Sequence, residues 1–339
     1  MMAWTTLTTL LAALLMALAV LPLPAAAADN LKFSLNFIPY GVHVGFYVAK
    51  EKGFYRDAGM EVEILKGEGS ADAVRRLGTG AVDLAIADMS TQIVGRTRGL
   101  KVKAVGVVLD RDPSVLFSLK ATGIRTPRDM EGKSIGALTA SALRDTWPAV
   151  ATKNGVDPGK VTWVDMPGSA YVASLMSKKV HAIATYLTTL PSYEIQARRQ
   201  GEEIAVLAFA DFGVDGYGAG IIATEQMIKE KPDLVRRFVS ASMRGYAAAF
   251  ENPAEAVQLF LRSHPEANPE RVRSEIKLTA DLMLTPFAAR QGIGHYDAPK
   301  VGVTREHALK PRGIDPNNIP IPEIYTNEFL PKLFPKRNP

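Results

Sequence analysis

Residues 31–87 read LKFSLNFIPYGVHVGFYVAKEKGFYRDAGMEVEILKGEGSADAVRRLGTGAVDLAIA, and the periodicities along them decide the fold. LKFSLNF at 31–37 is strand-like, and residues 42–52 form a helix candidate closed by Gly53. MEVEIL at 60–65 alternates with period two, as a half-buried strand does. Ser70 is placed to cap a helix over 71–77 that Gly78 and Gly80 stop, and VDLAIA at 82–87 is a short buried strand. The order β-α-β-α-β is the half-unit of a doubly wound sheet.

The same order recurs about a hundred residues on. KSIGAL at 133–138 is a strand, residues 141–154 a helix closed by Gly155, VTWVDM at 161–166 a strand, Ser169 caps a helix through 178, and VHAIATY at 180–186 is the third strand. VLFSLK at 115–120 reads as a strand leading from the first lobe toward the second, and GYGAGIIAT at 216–224 as a returning strand. A helix over 225–249, broken at Pro232, and helical stretches over 253–284 rejoin the first lobe. The tail from Pro311 carries seven of the 22 prolines and is expected to wrap the surface. The expected fold class is α/β with two lobes: residues 29–120 plus 213–339 in lobe 1 and 121–212 in lobe 2. Two crossings make a two-stranded hinge, as suits a cleft that opens and closes.

Two lobes agree with 339 residues, a length at which one core rarely keeps growing. An apolar share of 47%, a charged share of 22% and a mean hydropathy of +0.02 describe an ordinary globular chain. Cysteine is absent, which removes disulfides, thiol nucleophiles, Cys-bound zinc, iron–sulfur clusters and a lipidated N-terminal cysteine. The five histidines are widely spaced, so no metal site is expected, and no cofactor is called for. The net charge of +5 is dispersed along the chain and does not indicate nucleic acid. Residues 7–23 are almost wholly Leu, Ala, Val and Met, followed by Pro24, four alanines and Asp29. This reads as a cleaved secretory signal over 1–28 and implies export to the periplasm; a membrane anchor would be longer and free of Pro22 and Pro24.

Ligands of open α/β sheets bind beyond the carboxyl ends of the strands. That rule selects the loops after residues 35, 65, 87, 137, 165 and 185. They offer Asn36, Phe37, Tyr40, His43, Asp88, Ser90, Thr91, Thr139, Ser141, Tyr186 and Thr188, with Tyr217 on the returning hinge segment as a possible cover. Aromatic rings, neutral donors and acceptors and one carboxylate suit a flat, polar heteroaromatic ligand. Each has a plainer role: Asn36 as a turn residue before Pro39, His43 as a helix-start residue, Asp88, Ser90, Thr91, Thr139 and Ser141 as helix caps, Tyr186 as core. An anion would instead use the helix starts at Ser141 and Ser169, with Arg144 and Lys66 beside them. The chain has no G-x-x-x-x-G-K-[ST], G-x-S-x-G or H-E-x-x-H, and the GYGAG run precedes a strand, so it is no dinucleotide fingerprint.

LNFIP at 35–39, HVGFYVAKEKGFY at 43–55 and AGMEV at 58–62 resemble the opening of ABC-transporter substrate-binding proteins of the thiamine-pyrimidine-precursor type, whose relatives bind alkanesulfonates, taurine and nitrate. GAVDLAIA at 80–87 and DMEGKSIG at 129–136 resemble later signatures of the same superfamily. The resemblance covers roughly residues 31–280. It implies a type II two-lobe periplasmic binding protein, monomeric, that closes on a small-molecule ligand and docks on an ABC permease driven by its ATPase, without catalysis. It further implies that Asn36, Phe37, Tyr40 and His43 stand where pyrimidine-binding members hold the ring, with Phe37 where Trp is common. The eukaryotic-type pyrimidine synthases of the superfamily carry a cysteine-rich iron motif that this chain cannot supply. The expected ligand is a thiamine-related pyrimidine or similar heteroaromatic. The alternative is an organic anion such as an alkanesulfonate, taurine, an aromatic carboxylate or nitrate. An exported enzyme would need a pair such as His43 with Ser90 or Ser141.

Overall fold

The computed structural model describes residues 28–335; the expected signal segment lies outside the described residues except for its last position. The first strand is β1 (Asp29–Ser34), followed by a 3-10 turn at Gly41–His43, helices α1 (Val44–Glu51) and α2 (Phe54–Asp57), and β2 (Met60–Leu65). Then come α3 (Ser70–Gly78), β3 (Leu84–Asp88), α4 (Met89–Thr97) and β4 (Val102–Val107). Gly53 closes α1 at φ +76°, as its position in the sequence suggests. Helix α3 buries Ala73, Val74 and Leu77 and turns Arg75 and Arg76 outward, both paired with Asp72.

The second run holds β5 (Ser114–Leu119), β6 (Ser134–Ala137), α5 (Ala142–Lys153), β7 (Thr162–Asp165), α6 (Tyr171–Met176), β8 (Ala182–Tyr186), α7 (Leu190–Arg199) and β9 (Ile204–Ala208). The chain returns as β10 (Ala219–Thr224) and continues in α8 (Glu225–Glu230), α9 (Pro232–Glu251), α10 (Pro253–Ser263) and α11 (Pro269–Met283). It ends with α12 (Pro286–Gln291), α13 (Ala298–Leu309) and α14 (Ile321–Ile324). Beyond α13 the tail is short turns, with one bridge from Tyr325 to Ala104 on β4.

Two five-stranded mixed sheets result, ordered β2-β1-β3-β10-β4 and β7-β6-β8-β5-β9. In each, three parallel strands carry the β-α-β-α-β unit, and the fourth neighbour runs antiparallel: β10 against β3, β5 against β8. One expectation needs correction. The sequence pattern puts β5 at the end of lobe 1, yet the strand pairs with β8 and β9 and belongs to the second sheet. All six of its residues are buried, so it is an interior strand. The first crossing is therefore residues 108–113, and the second lies between β9 and β10. They pack together where Gly218 N–H donates to Leu109 O at 3.0 Å.

Helix α9 braces the first cleft loop. Gly45 and Gly245 let it lie so close to α1 that a methyl group at either position would overlap the other helix. Tyr246 on α9 then donates from its hydroxyl to Val42 O at 2.7 Å, fixing the turn that carries Tyr40 and His43.

Candidate functional site

The carboxyl ends of both sheets face each other, and the cluster between them is nearly dry. Asp88, at the end of β3, is its centre. Its Oδ2 accepts from the Ser70 hydroxyl at 2.6 Å, from the Tyr186 hydroxyl at 2.7 Å and from Asn36 Nδ2 at 3.4 Å. Tyr186 ends β8, so that bond crosses from the second sheet to the first. The Ser70 hydroxyl in turn accepts from Asp88 N–H at 3.1 Å. Burial pushes the Asp88 carboxyl above its ordinary range, and the Ser70, Tyr186 and Asn36 bonds pull it back.

With its amide donating to Asp88, Asn36 turns Oδ1 to His43 Nε2 at 3.0 Å, which assigns the ring proton to Nε2. Nδ1 is left a buried acceptor without a partner. Burial lowers the His43 pKa to about 3, with His264 adding a smaller repulsion, so the ring is neutral at physiological pH. The Thr188 hydroxyl, also buried, lies beside the Tyr40 phenol and reaches no partner in good geometry.

Three rings frame these polar groups. Phe37 stands edge-on to Tyr40, centroids 5.9 Å apart, and faces Tyr171 of the second lobe at 5.9 Å and 39°. Tyr40 meets the His43 ring edge-on at 4.9 Å. The Tyr171 hydroxyl accepts from Leu138 N–H at 2.5 Å, which pins it to the end of β6. Asn36, Phe37, Leu138, Tyr171, Thr185 and Tyr186 enclose a cavity of about 10 Å³, room for about one water molecule. The lobes are shut on one another: Ala71 N–H donates to Ala140 O at 3.2 Å across the gap. Larger hollows, about 400 Å³ between α7 and α11 and about 380 Å³ near Gly80 and Lys231, are open grooves away from this cluster.

The sequence expectations divide. Asn36, Phe37, Tyr40, His43, Asp88, Tyr186 and Thr188 gather in one place, and Ser141 lines the same cavity while capping α5 through Leu143 N–H at 3.3 Å. Ser90 is buried at the start of α4, and Thr139 is exposed at the rim. Thr91 turns away, its hydroxyl donating to Asp145 at 3.1 Å. Tyr217 is a correction: it does not cover the cleft. It packs in a core of lobe 1 against Tyr296 at 5.1 Å, and its hydroxyl accepts from Asp297 N–H at 2.6 Å. A tyrosine between two hinge glycines gives no sign of which way it faces.

Ser70 and Tyr171 were missed as site residues. Ser70 had been read only as a cap, and Tyr171 sits just beyond the chosen loop. Their signal is the shared GSA at 69–71 and 168–170, which brings both lobes' second loops to the cleft. Glu275 had no signal at all. It is fully buried on α11 and accepts from Gly41 N–H and Arg271, each at 2.8 Å, and from Ser192 at 3.5 Å.

This architecture is the two-lobe, type II periplasmic-binding-protein fold. It superposes on the alkanesulfonate-binding protein SsuA of Xanthomonas axonopodis pv. citri with a TM-score of 0.66 at 15% identity, covering 86% of this chain and 96% of that one. For the nitrate-binding protein NrtA of Synechocystis PCC 6803 the TM-score is 0.62 at 14% identity, covering 89% and 87%. Residues 41–256 match the NMT1/THI5-like family, and the chain belongs to it. Among its relatives, the riboflavin-binding protein RibY of Chloroflexus aurantiacus is 28% identical over 313 residues, 89% of this chain and 86% of that one. The formylaminopyrimidine-binding protein of Halalkalibacterium halodurans is 26% identical over 71% and 73%. A 4-amino-5-hydroxymethyl-2-methylpyrimidine phosphate synthase of Legionella pneumophila is 26% identical over 88% and 91%.

Proposed function

We propose that this chain is the periplasmic solute-binding component of an ABC importer and that it closes its lobes on an uncharged or cationic heteroaromatic containing a pyrimidine ring. The observation that carries the reading is the cross-lobe cluster of Asp88, Tyr186, Asn36 and His43 between the rings of Phe37, Tyr40 and Tyr171. The shut cluster has room for about one water, so a flat ring enters only with the lobes parted and is then enclosed by the aromatic faces. Its N–H groups meet the carboxylate of Asp88 and the open acceptors on His43 and Thr188. RibY and the formylaminopyrimidine-binding protein are named for ligands of this kind, and both ligands contain a pyrimidine ring.

Charge weighs against the organic-anion alternative. Arg144 is engaged by Asp165, by Leu138 O at 3.0 Å and by the Trp163 ring at 4.7 Å. Lys66 pairs with Glu68 at 3.7 Å. The ionisable group at the centre is the Asp88 acid, which offers no positive charge to a sulfonate or nitrate. An enzymatic role draws no support from His43, whose ring is bonded to the Asn36 amide instead of a hydroxyl nucleophile.

Thermal unfolding of the mature protein against hydroxymethylpyrimidine, formylaminopyrimidine, riboflavin, thiamine, taurine and nitrate tests the reading. A ligand at a hundred times its Kd stabilises by about 2.7 kcal/mol, which raises Tm by a few degrees in a chain of this size. A shift with any of the first four, and none with taurine or nitrate, is expected. A shift with the anions alone would sink the heteroaromatic assignment.

A further inference from the structure

Helix α13 touches both crossings of the hinge. Lys300 donates from Nζ to Asp110 O and approaches Asp110 Oδ1 at 3.4 Å, which ties the helix to the first crossing. One turn on, the Thr304 hydroxyl accepts from Tyr217 N–H at 3.0 Å, tying it to the second crossing. Val301, Ala308 and Leu309 root the same helix in a core of lobe 1. Beyond its end, Arg312 reaches the other lobe. Its Nη2 donates to Asp145 Oδ1 at 2.7 Å, and its Nη1 donates to Asp145 O at 2.8 Å and back to Ala308 O at 2.7 Å. Asp145 stands in the first turn of α5, and its other oxygen accepts from Thr91 at the start of α4. One carboxylate of lobe 2 is therefore held from two sides by lobe 1. Both partners are about four-fifths buried, so the pair is shielded from bulk solvent.

We infer that α13 is a splint that sets ligand affinity from outside the ligand site, with Arg312 and Asp145 as positioning residues that hold the lobes shut. The inference rests on reading the chain as a lobe-closing binding protein. Opening the cleft carries α5 away from α4 and α13, and the Arg312–Asp145–Thr91 contacts are what that movement breaks. Ligand release waits on the same event, so losing the pair speeds release and does not slow entry.

The absence of native cysteine permits a direct test. Spin labels go on Glu63→Cys and Thr162→Cys, exposed positions on the edge strands β2 and β7, with and without Arg312→Met, which keeps the stem and removes the guanidinium. The Arg312→Met protein should add a population of longer distances without any ligand present. An unchanged distribution overturns the splint, whatever the ligand proves to be. In the second arm, riboflavin or formylaminopyrimidine, whichever shifts Tm, is followed by stopped flow. Arg312→Met and Asp145→Asn should each raise koff roughly three- to tenfold without lowering kon, and the double variant should do no more than either. Equal off-rates, or additive effects in the double variant, would count against the pair. If no probe shifts Tm, the ligand assignment fails while the distance measurement still decides on the splint.

Discussion

Asp88 and His43 hold opposite burdens in one cluster. Asp88 keeps a carboxylate where burial favours the acid, steadied by three hydrogen bonds on one oxygen. Asp88→Asn retains an acceptor for those donors and removes the buried charge. Thermal unfolding should show it about 1 kcal/mol more stable, and calorimetry should show ligand affinity down tenfold or more. A variant that is less stable and binds unchanged would show that Asp88 is a structural residue only. His43 stays neutral because its folded pKa, about 3, lies below the ordinary 6.5. The stability this contributes is complete above pH 6.5 and is lost as pH falls from there toward 3, on the order of several kcal/mol. His43→Gln should flatten that acid limb of the denaturant midpoint against pH; an unaltered slope would show that the ring does not titrate in this range. The positions of Asp88 and Asn36 were legible because strand ends are legible: a buried run followed by Asp or Asn locates a sheet's carboxyl edge. Which oxygen bonds which hydroxyl is set by contacts 18 and 98 residues away, and no local pattern carries it.

At the scale of elements, closure depends on a bare patch of backbone. Gly168, on the loop after β7, packs against the Phe37 ring from the opposite lobe, and an added Cβ would lie 2.5 Å from that ring. Gly168→Ala should therefore wedge the cleft or displace Phe37, weakening binding about tenfold or more while the unfolding midpoint without ligand moves little. Equal affinity in the variant would mean that Phe37 swings aside at no cost. The helices and parallel strands were readable because each carries its own period and its own glycine stop. β5 was assigned to the wrong side of the hinge for a definite reason. A strand buried on both faces shows no alternation, so its sequence says that it is interior without saying to which sheet. Glu275 lay beyond sequence reasoning on similar grounds, since its partner at Gly41 is 234 residues away.

The whole molecule is two sheets joined by two crossings, with the last hundred residues bracing both sides of the joint. Helix α11 presses on the first cleft loop and reaches Ser192 of the second lobe, while α13 and Arg312 reach Asp145. Small-angle scattering should report a smaller radius of gyration when a binding ligand saturates the protein. Identical profiles with and without it would mean that ligand enters without a lobe movement. The order of strands also bears on how the chain is assembled. The second sheet is drawn from one uninterrupted stretch, 114–208, whereas the first holds β10 between β3 and β4, and β4 has no other strand partner. A chain emerging from its amino end therefore has every strand of the second sheet before the first can be completed. Closing β10 onto β3 also spans about 130 residues, a long loop whose entropy opposes early pairing. The inserted lobe is therefore expected to complete its sheet before the first sheet closes, and pulse-labelled hydrogen exchange that protected β10 before β5 and β9 would contradict this.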